Sequence, residues 1–400
     1  MISVQEADKI IEQSLDPFPV ERVPLDQAAG RVLREDLYAD RDAPPFDKAA
    51  MDGIAVCHAS WEQGTRTFFV EGIQKAGSPA LVLKNKNNCI EIMTGAPLPS
   101  GCDSIVPVES LRHADGYARI DEEFKVARGR NVHERAADYK KGDLLAKAGC
   151  RLLSPQIAVA AAVGKAEVLV SRTPLIAVIG TGDELVGLDQ EPAPYQIRQS
   201  NSYTIQSALH LHGYVKTRRF HLRDEKEVLL ETLSKILKDF EVLILSGGVS
   251  MGKYDYVPEV LTRLGVEVLF HKVKQRPGKP FWFGKSREGK AVFALPGNPV
   301  STHVSAYRYI LPHLNRALGL MNPSVELIAL NEDVENKTPF TYFLPVAVLY
   351  DQGARPVARP VFTHGSGDYA SLVKSDGFVE LGGQGRRDFP MGTIVPFYRW

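Results

Sequence analysis

Two short turns of similar composition, Pro-Gly-Lys-Pro at 277–280 and Pro-Gly-Asn-Pro at 296–299, enclose two apolar runs. The runs, at 281–284 and 291–295, have the composition of strands and are joined by a short turn, which predicts an antiparallel hairpin. The start of the first strand and the end of the second lie side by side in such a hairpin. Both turns are therefore expected at the same end of one sheet.

Positive charge accompanies these turns, because Arg276 and Lys279 belong to the first of them. The second turn leads into a predicted helix, which Asn298 is expected to cap and Pro299 to begin. Pro312 should end or kink that helix. Free N–H groups at a helix N-terminus favour an anion, and the prolines would keep the turns rigid. The spacing therefore predicts a preorganised oxyanion pocket.

Carboxylates follow several of the predicted strands. Asp183 and Glu184 come shortly after the apolar run 175–180, and Asp224 and Asp255 follow later strands. Ligands bind at the strand ends of parallel sheets, where Asp and Glu can hold Mg²⁺ against a phosphate. For Asp224, a helix N-cap before the following helical segment is the preferred interpretation.

Two segments of the chain resemble other motifs, one for nucleotide binding and one for catalysis. Residues 284–291 nearly match a phosphate-binding loop, but Ala291 replaces the hydroxyl residue and the segment lies between two strands, which excludes that interpretation. Residues 248–252 match the G-x-S-x-G motif and leave open an α/β-hydrolase with Ser250 as nucleophile. The double glycine at 247–248 favours a loose loop over a tight nucleophile elbow.

Composition limits the classes of partner. The 400 residues include 48 Lys and Arg and 48 Asp and Glu, so the basic surplus typical of nucleic-acid binders is missing. The four cysteines form no C-x-x-C pair, which favours reduced thiols in a cytoplasmic protein. The longest apolar run, 157–164, is too short to cross a bilayer, and the N-terminus resembles a helix start more than a leader peptide. Neither nucleic acid nor membrane is expected as a partner.

The N-terminal part of the chain is predicted to be a split domain with an insertion. Ser3 and Glu6 fit a capping box, and apolar spacing predicts a second helix over 25–35. Short strand-like runs between turns predict a β-rich segment over 54–139. A helical register returns over 143–170 and is expected to pack back onto the first helices.

The pattern of apolar residues, prolines and glycines changes twice in the remainder of the chain. From 172 onward, apolar strand-like runs alternate with helical segments, which predicts a parallel α/β sheet covered on both faces. From 321 onward, prolines, glycines and short strand-like runs predict a small β-barrel or sandwich. The fold class is therefore a multidomain α/β protein.

Seven segments occur in an order that resembles one known family: FDKAAMDGIAV, MTGAPLPSGCDSIVPVE, IGTGDEL, RQSN, SGGVSMGKYDY, RPGKPFWFG and LPGNPVS. Together they resemble the MoeA family of molybdopterin molybdenumtransferases, which includes the gephyrin E-domain, over essentially the whole chain. The resemblance implies four domains: a split, dimerising domain I at 1–46 and 140–171, a β-rich domain II at 47–139, a MogA-like α/β domain III at 172–320 and a β-barrel domain IV at 321–400.

The resemblance also implies an activity and its partners. The family inserts metal: adenylylated molybdopterin and molybdate give molybdenum cofactor and AMP, with Mg²⁺ or a similar divalent cation. A homodimer is implied, with parts of domain II reaching the domain III site of the other copy. Molybdopterin adenylyltransferase and downstream cofactor-handling proteins are the implied further partners. A non-catalytic scaffold on the same fold is the alternative.

The family motifs carry roles over to particular residues. The implied catalytic residues are Glu184, Asp255, Asp52 and Lys279. The implied metal ligands are Glu184, Asp224 and Asp255. The implied substrate-binding residues are Thr94, Asp183, Ser200, Asn201, Asp224, Ser246, Gly247, Gly248, Ser250, Arg276, Pro296, Gly297, Asn298, Pro299 and Ser301.

Four positions depart from the family pattern. Arg276 stands where lysine is common, which keeps the charge but changes its geometry. Gln199 replaces an aspartate, and Asp138 lies in an altered Ala-Ala-Asp segment. Asp368 stands where a neutral or basic residue is expected, and an acid there would disfavour an anionic ligand. The departures at Asp138 and Asp368 are what supports the scaffold alternative.

Overall fold

A computed structural model describes residues 1–249, 255–321, 325–382 and 387–400. The chain forms two compact units, one of residues 1–35, 149–153 and 167–400 and the other of residues 36–148 and 154–166. Among the described residues, no helix has both the length and the apolar character that a membrane span requires.

A six-stranded sheet forms the centre of the first unit. Its strands, in spatial order, are Thr217–Leu222, Ile176–Thr181, Val242–Ser246, Ala291–Leu295, Trp282–Ser286 and Val266–His271. The first four run parallel and the fifth antiparallel to its neighbours. The helices that accompany them are Asn201–Leu211, Lys226–Asp239, Val257–Arg263 and Pro299–Ser305. The predicted α/β domain and its antiparallel hairpin are confirmed.

Side-chain alternation explains why this sheet is covered on both faces. Ile176 and Val178 belong to one buried cluster, whereas Ala177 and Ile179 belong to another. Successive residues of a strand point to opposite faces, so each face supports its own core. The near-continuous apolar strands seen in the sequence are the expected consequence.

The helix after the second Pro-Gly turn is longer than predicted. It comprises an α-helical segment at Pro299–Ser305, a π-helical turn at Ala306–Ile310 and a further α-helical segment at Leu311–Ala317. Pro312 does not end the helix, but the regular α-helical hydrogen bonding is interrupted by the π-helical turn directly before the segment that contains it. Pro312 lies in the first turn of the last segment, where a missing N–H is tolerated.

The C-terminal residues form a closed five-stranded barrel, as predicted. Around the barrel the strands are Thr341–Tyr350, Pro356–Pro360, Glu326–Leu330, Ile394–Arg399 and Gly377–Leu381, and the last pairs with the first. A short strand, Gln275–Arg276, runs parallel to the start of Thr341–Tyr350. The first Pro-Gly turn is therefore anchored to the barrel by backbone hydrogen bonds.

The N-terminus of the first unit agrees with one prediction and contradicts another. The helix Val4–Ser14 has the expected capping box, in which the backbone N–H groups of Ser3 and Glu6 each donate to the other's side chain. The predicted helix over 25–35 was wrong, since only a 3-10 turn forms, at Leu25–Gln27. Residues 32 and 33 instead make bridges to strand residues, and burial in a sheet overrides helical spacing. Strands Val20–Pro24 and Glu167–Ser171 pair beside them.

The second unit is rich in strands, as predicted. Its six-stranded sheet contains, in spatial order, Ser104–Pro107, Gly53–Val56, Cys89–Ile92, Thr67–Gln74, Tyr117–Ile120 and Leu111–Ala114. Two-residue strands and the short helix His58–Glu62 accompany it. The helical register predicted over 143–170 is limited to Ser154–Ala162, because Leu144–Ala146 and Glu167–Ser171 are strands. The division into four domains stays a prediction.

Candidate functional site

A cleft of about 840 Å³ lies where the parallel strands of the α/β sheet end, and we call it the carboxylate cleft. Ile176–Thr181 and Val242–Ser246 supply its floor. The predicted site residues that line it are Glu184, Ser200, Asn201, Asp224, Ser246, Gly247, Gly248, Asp255, Gly297, Asn298 and Pro299. Ser250 lies outside the described residues.

Asp224 is the most perturbed acid of the cleft. Burial, followed by the charges of Asp183, Glu184 and Asp255, raises its pKa from 3.8 to about 6. Its Oδ1 atom is buried and has no hydrogen-bond partner, and its backbone N–H donates to Asp183 Oδ1 at 3.3 Å. The preferred N-cap interpretation was wrong, because Glu225 occupies the N-cap of helix Lys226–Asp239.

A cation would suit this set of acids. A buried carboxylate oxygen without a partner, close to further negative charges, is stabilised by a nearby positive charge. Within the described ranges, however, no three His, Cys, Asp or Glu side chains are close enough together to ligate one metal ion. Glu184, Asp224 and Asp255 therefore stay predicted ligands.

Gly247 allows the chain to approach the neighbouring strand closely. Its φ is +102°, and a Cβ atom there would lie 2.3 Å from the carbonyl oxygen of Thr181. The Thr181 hydroxyl is itself buried without a partner and lines the cleft. Sequence reasoning missed Thr181, for which the only signal was its position at the end of a buried strand.

The second Pro-Gly turn is held by side-chain hydrogen bonds, of which the one from Thr302 is buried. Asn201 Nδ2 donates to Ser246 Oγ at 2.8 Å and to the carbonyl of Gly297 at 2.7 Å. Thr302 Oγ1 donates to the carbonyl of Pro296 at 2.6 Å. Asn201 and Ser246, predicted to bind substrate, thus also support the turn that borders the cleft.

Asn298 occupies the N-cap position as predicted, but its side chain does not cap the helix. Instead, its Nδ2 atom donates to Ser366 Oγ at 2.8 Å. Ser366 belongs to the loop 361–369, which follows the barrel strand Pro356–Pro360. A long-range hydrogen bond therefore replaces the local cap.

A second cavity, of about 700 Å³, is lined by both Pro-Gly turns, and we call it the Pro-Gly pocket. The two turns therefore do lie at the same end of the sheet, as predicted. The predicted residues that line this pocket are Arg276, Lys279, Pro296, Asn298 and Ser301. Asn298 borders both cavities, so the predicted oxyanion pocket and the predicted carboxylate site adjoin each other.

The Pro-Gly pocket has a positive lining. Arg276 lies over the ring of Tyr342 at 5.4 Å, and Lys279 lies over the ring of Phe340 at 5.6 Å. No Asp or Glu is among the described residues that line it. Cations placed against aromatic rings, without a carboxylate partner, provide a binding site for an anion.

Asp368 is not among the described residues that line either cavity, and its carboxylate is hydrogen-bonded within its own loop. Its carboxylate accepts hydrogen bonds from Ser371 Oγ at 2.6 Å, from Ser371 N at 3.2 Å, and from the N–H and ring of His364 at 3.0 and 3.1 Å. The Ser371 hydroxyl and then the His364 donors hold the pKa of Asp368 far below its usual value. The charge is thus engaged within its own loop.

Asp52 and Thr94 lie in the second unit, where they form a pair. The backbone N–H and the hydroxyl of Thr94 donate to Asp52 Oδ1 at 2.6 and 2.8 Å. These bonds lower the pKa of Asp52, so its carboxylate is held ionised and oriented. Asp138, in the same unit, lies 3.0 Å from the ring of His133.

Comparison with known proteins assigns the family. Residues 2–164 match the description "MoeA N-terminal region (domain I and II)" and residues 328–400 match "MoeA C-terminal region (domain IV)". Residues 177–316, which contain most of the carboxylate cleft, match "Probable molybdopterin binding domain". The three matches follow the same order as the segments that carried the resemblance.

Similar proteins match this chain from end to end. A molybdopterin molybdenumtransferase of Synechocystis is 39% identical over 100% of both chains, and one of Staphylococcus epidermidis is 32% identical over 98% of this chain and 94% of its own. A solved molybdopterin biosynthesis MoeA protein from Pyrococcus horikoshii is 30% identical, with a TM-score of 0.78 over 100% of this chain and 99% of its own. The sequence motifs, the fold and these matches together establish that the chain belongs to the MoeA family.

Proposed function

We propose that this protein is the metal-inserting enzyme of molybdenum cofactor biosynthesis, which converts adenylylated molybdopterin and molybdate into molybdenum cofactor and AMP. Relatives that it matches over 93% or more of their own length are named molybdopterin molybdenumtransferase. The observation that carries the proposal is the pair of adjoining cavities, one rich in carboxylates and one lined by cations.

The Pro-Gly pocket is the proposed molybdate site. Molybdate is a tetrahedral dianion, and Arg276 and Lys279 offer it two positive charges without a competing carboxylate in the described lining. Ser301 adds a hydroxyl in the first turn of the helix that begins at Pro299. The guanidinium of Arg276 presents a planar set of donors, which suits an oxyanion better than a point charge does.

The carboxylate cleft is the proposed site for the adenylylated pterin. Its glycine-containing floor allows close approach of a phosphate, and Glu184, Asp224 and Asp255 are the residues that would hold Mg²⁺. When bound, such a cation would neutralise phosphate charge as AMP departs. The chain's own contribution is to orient the substrate between the strand ends and the turn at 296–299, next to the Pro-Gly pocket.

We further propose that two copies associate and that the Asp52–Thr94 pair acts at the cleft of the partner copy. The support is the family resemblance and the fixed, ionised state of Asp52. Exchange of substrate and product with molybdopterin adenylyltransferase and with downstream cofactor-handling proteins, in the cytoplasm, stays a prediction. So does the absence of nucleic-acid and membrane partners.

The alternatives have lost part of their support. The scaffold interpretation depended on the departures at Asp138 and Asp368, and Asp368 has a structural role in its own loop. The hydrolase interpretation depended on Ser250 and finds no counterpart in the names of the relatives.

The proposed activity is tested with purified protein, adenylylated molybdopterin and Mg²⁺, by following AMP release with and without molybdate. We expect AMP release that depends on molybdate, and labelling by a fluorophosphonate probe is not expected. AMP release that ignores molybdate would contradict metal insertion. Failure to rescue a cofactor-deficient bacterial strain, with folded protein present, would favour the scaffold.

A further inference from the structure

Gln275 is a buried polar residue that the sequence analysis did not single out. The residue is 1% exposed, and it lies two positions before the first Pro-Gly turn, next to Arg276. A buried amide is stable only when its donors and acceptor are satisfied. The partners of Gln275 therefore show what it supports.

The amide of Gln275 binds the turn itself. Its Nε2 atom donates to the carbonyl of Pro277 at 3.2 Å and to the carbonyl of Gly278 at 3.1 Å. Gly278 has a φ of +88°, and a Cβ atom there would lie 2.7 Å from Gln275 Nε2. The backbone of the turn thus lies directly against the amide, and only glycine permits this approach.

Tyr309 fixes the other end of the amide. Its hydroxyl donates to Gln275 Oε1, and its ring packs against that of Phe281, the residue after the turn, at a centroid distance of 4.9 Å. Tyr309 is fully buried in the π-helical turn at Ala306–Ile310. The helix that begins at the second Pro-Gly turn therefore also holds the first.

We infer that Gln275 and Tyr309 are positioning residues for oxyanion binding, which hold Arg276 and Lys279 in place on the Pro-Gly pocket. Arg276 and Lys279 lie on either side of the two carbonyls that the amide binds. Loss of these hydrogen bonds would let the turn relax and would spread the two cations over several positions. A preorganised cation pair binds an anion more tightly than a mobile one.

The inference rests on the proposed function in naming molybdate as the anion. The two substrates should respond differently, because the turn at 277–280 lines the Pro-Gly pocket and is not among the described residues of the carboxylate cleft. A change in the turn should weaken molybdate binding selectively. Binding of the adenylylated pterin should be little affected.

The test compares Tyr309→Phe and Gln275→Met with the wild-type protein. The first removes one hydroxyl and keeps the ring, and the second keeps the approximate volume and removes the amide. We expect the KM for molybdate to rise about three- to tenfold in each, as for loss of a buried hydrogen bond. The kcat and the KM for adenylylated molybdopterin should stay within about twofold of wild type.

Tyr307→Phe is the matched control, since Tyr307 lies in the same π-helical turn and packs against His303 and Trp400. It should leave the molybdate KM unchanged. An unchanged molybdate KM in folded Tyr309→Phe protein overturns the inference. The inference is also overturned if the melting temperature and kcat fall while both KM values rise together, because that pattern would indicate a purely structural role.

Direct binding separates this inference from the proposed function. Calorimetric titration with molybdate, and separately with tungstate, measures oxyanion affinity without turnover. Should wild type release no molybdate-dependent AMP and yet bind an oxyanion that Tyr309→Phe binds more weakly, the positioning role stands and the proposed reaction fails. Absence of oxyanion binding by wild type overturns the positioning role as well.

Discussion

Replacing Asp224 with asparagine is expected to stabilise the protein without ligands at neutral pH while it impairs turnover. Burial and three neighbouring acids raise the pKa of Asp224 from 3.8 to about 6, so ionising it at pH 7 costs free energy in the folded state. The full shift corresponds to about 3 kcal/mol. Because the side chain is only half-buried, solvent screening reduces this to about 1 kcal/mol.

The difference in stability between Asp224→Asn and wild type should depend on pH. At about pH 4 or below, the folded protein holds this carboxyl protonated, and the free-energy cost of ionising it is small. That cost grows as the pH rises from 4 to 6 and is almost fully present at pH 7. Asp224→Asn should therefore match wild type near pH 4 and melt on the order of 2 °C higher at pH 7 in EDTA. AMP release should fall at least about tenfold, as expected on loss of a ligand for the cation.

Glu225→Gln is the matched control for this experiment. Glu225 is adjacent, exposed and makes no side-chain capping bond, so its replacement should change stability by less than about 0.5 kcal/mol. Thermal unfolding across the pH range, followed by circular dichroism, makes the comparison. A lower melting temperature for Asp224→Asn than for wild type at pH 7, or a difference that does not vary with pH, would refute the conclusion that folding raises the pKa of Asp224.

Three further predictions concern other parts of the site. Gly247→Ala should lower the free energy of unfolding by about 3 kcal/mol in a urea titration, because backbone strain at φ +102° adds to a clash 2.3 Å from a carbonyl oxygen. Gly265→Ala, at φ +82°, should cost only about 1 kcal/mol in the same titration, because an added Cβ would make an ordinary contact with Arg287 Nε at 3.9 Å. Lys279→Ala should raise the molybdate KM at least about tenfold and leave the melting temperature unchanged, and an unchanged KM in AMP-release kinetics would remove it from the pocket. Finally, Asp52→Asn and Glu184→Gln proteins should each be inactive on their own. When the two are unfolded and refolded together, about a quarter of wild-type activity should return, because about half of the dimers are mixed and each mixed dimer contains one intact site. No recovery of activity would contradict a site shared between copies.

Local chemistry was predictable from the sequence wherever the partners lie close together in the chain. The hairpin at 281–295 and the shared end of its two flanking turns follow from a short connection between two apolar runs. The capping box at Ser3 and Glu6 needs only a three-residue spacing. The strand order of the α/β sheet and the barrel closure, in contrast, come from pairings that periodicity does not encode.

Two of the discrepancies, at Asn298 and Gln275, come from a long-range partner, whereas the one at Asp224 comes from a helix boundary. Asn298 has the residue type and the position of a cap, yet its amide binds Ser366, 68 residues later in the chain. Gln275 has no motif of its own, and its role depends on Tyr309, 34 residues away. Asp224 has the spacing of a cap, but the helix begins one residue later than its pattern requires.

The separation of the cations from the carboxylates, in two adjoining cavities, has a physical reason. Within the described chain neither Arg276 nor Lys279 forms an ion pair, although Glu184 and Asp224 line the adjoining cleft. Opposite charges that shared one cavity would pair with each other and lose their capacity to bind ions of opposite charge. The neutral turn at 296–299, fixed by hydrogen bonds from Asn201 and Thr302, lies between the two sets. A dianion and a cation-bound phosphate can then be held side by side, each by charges that remain available to it.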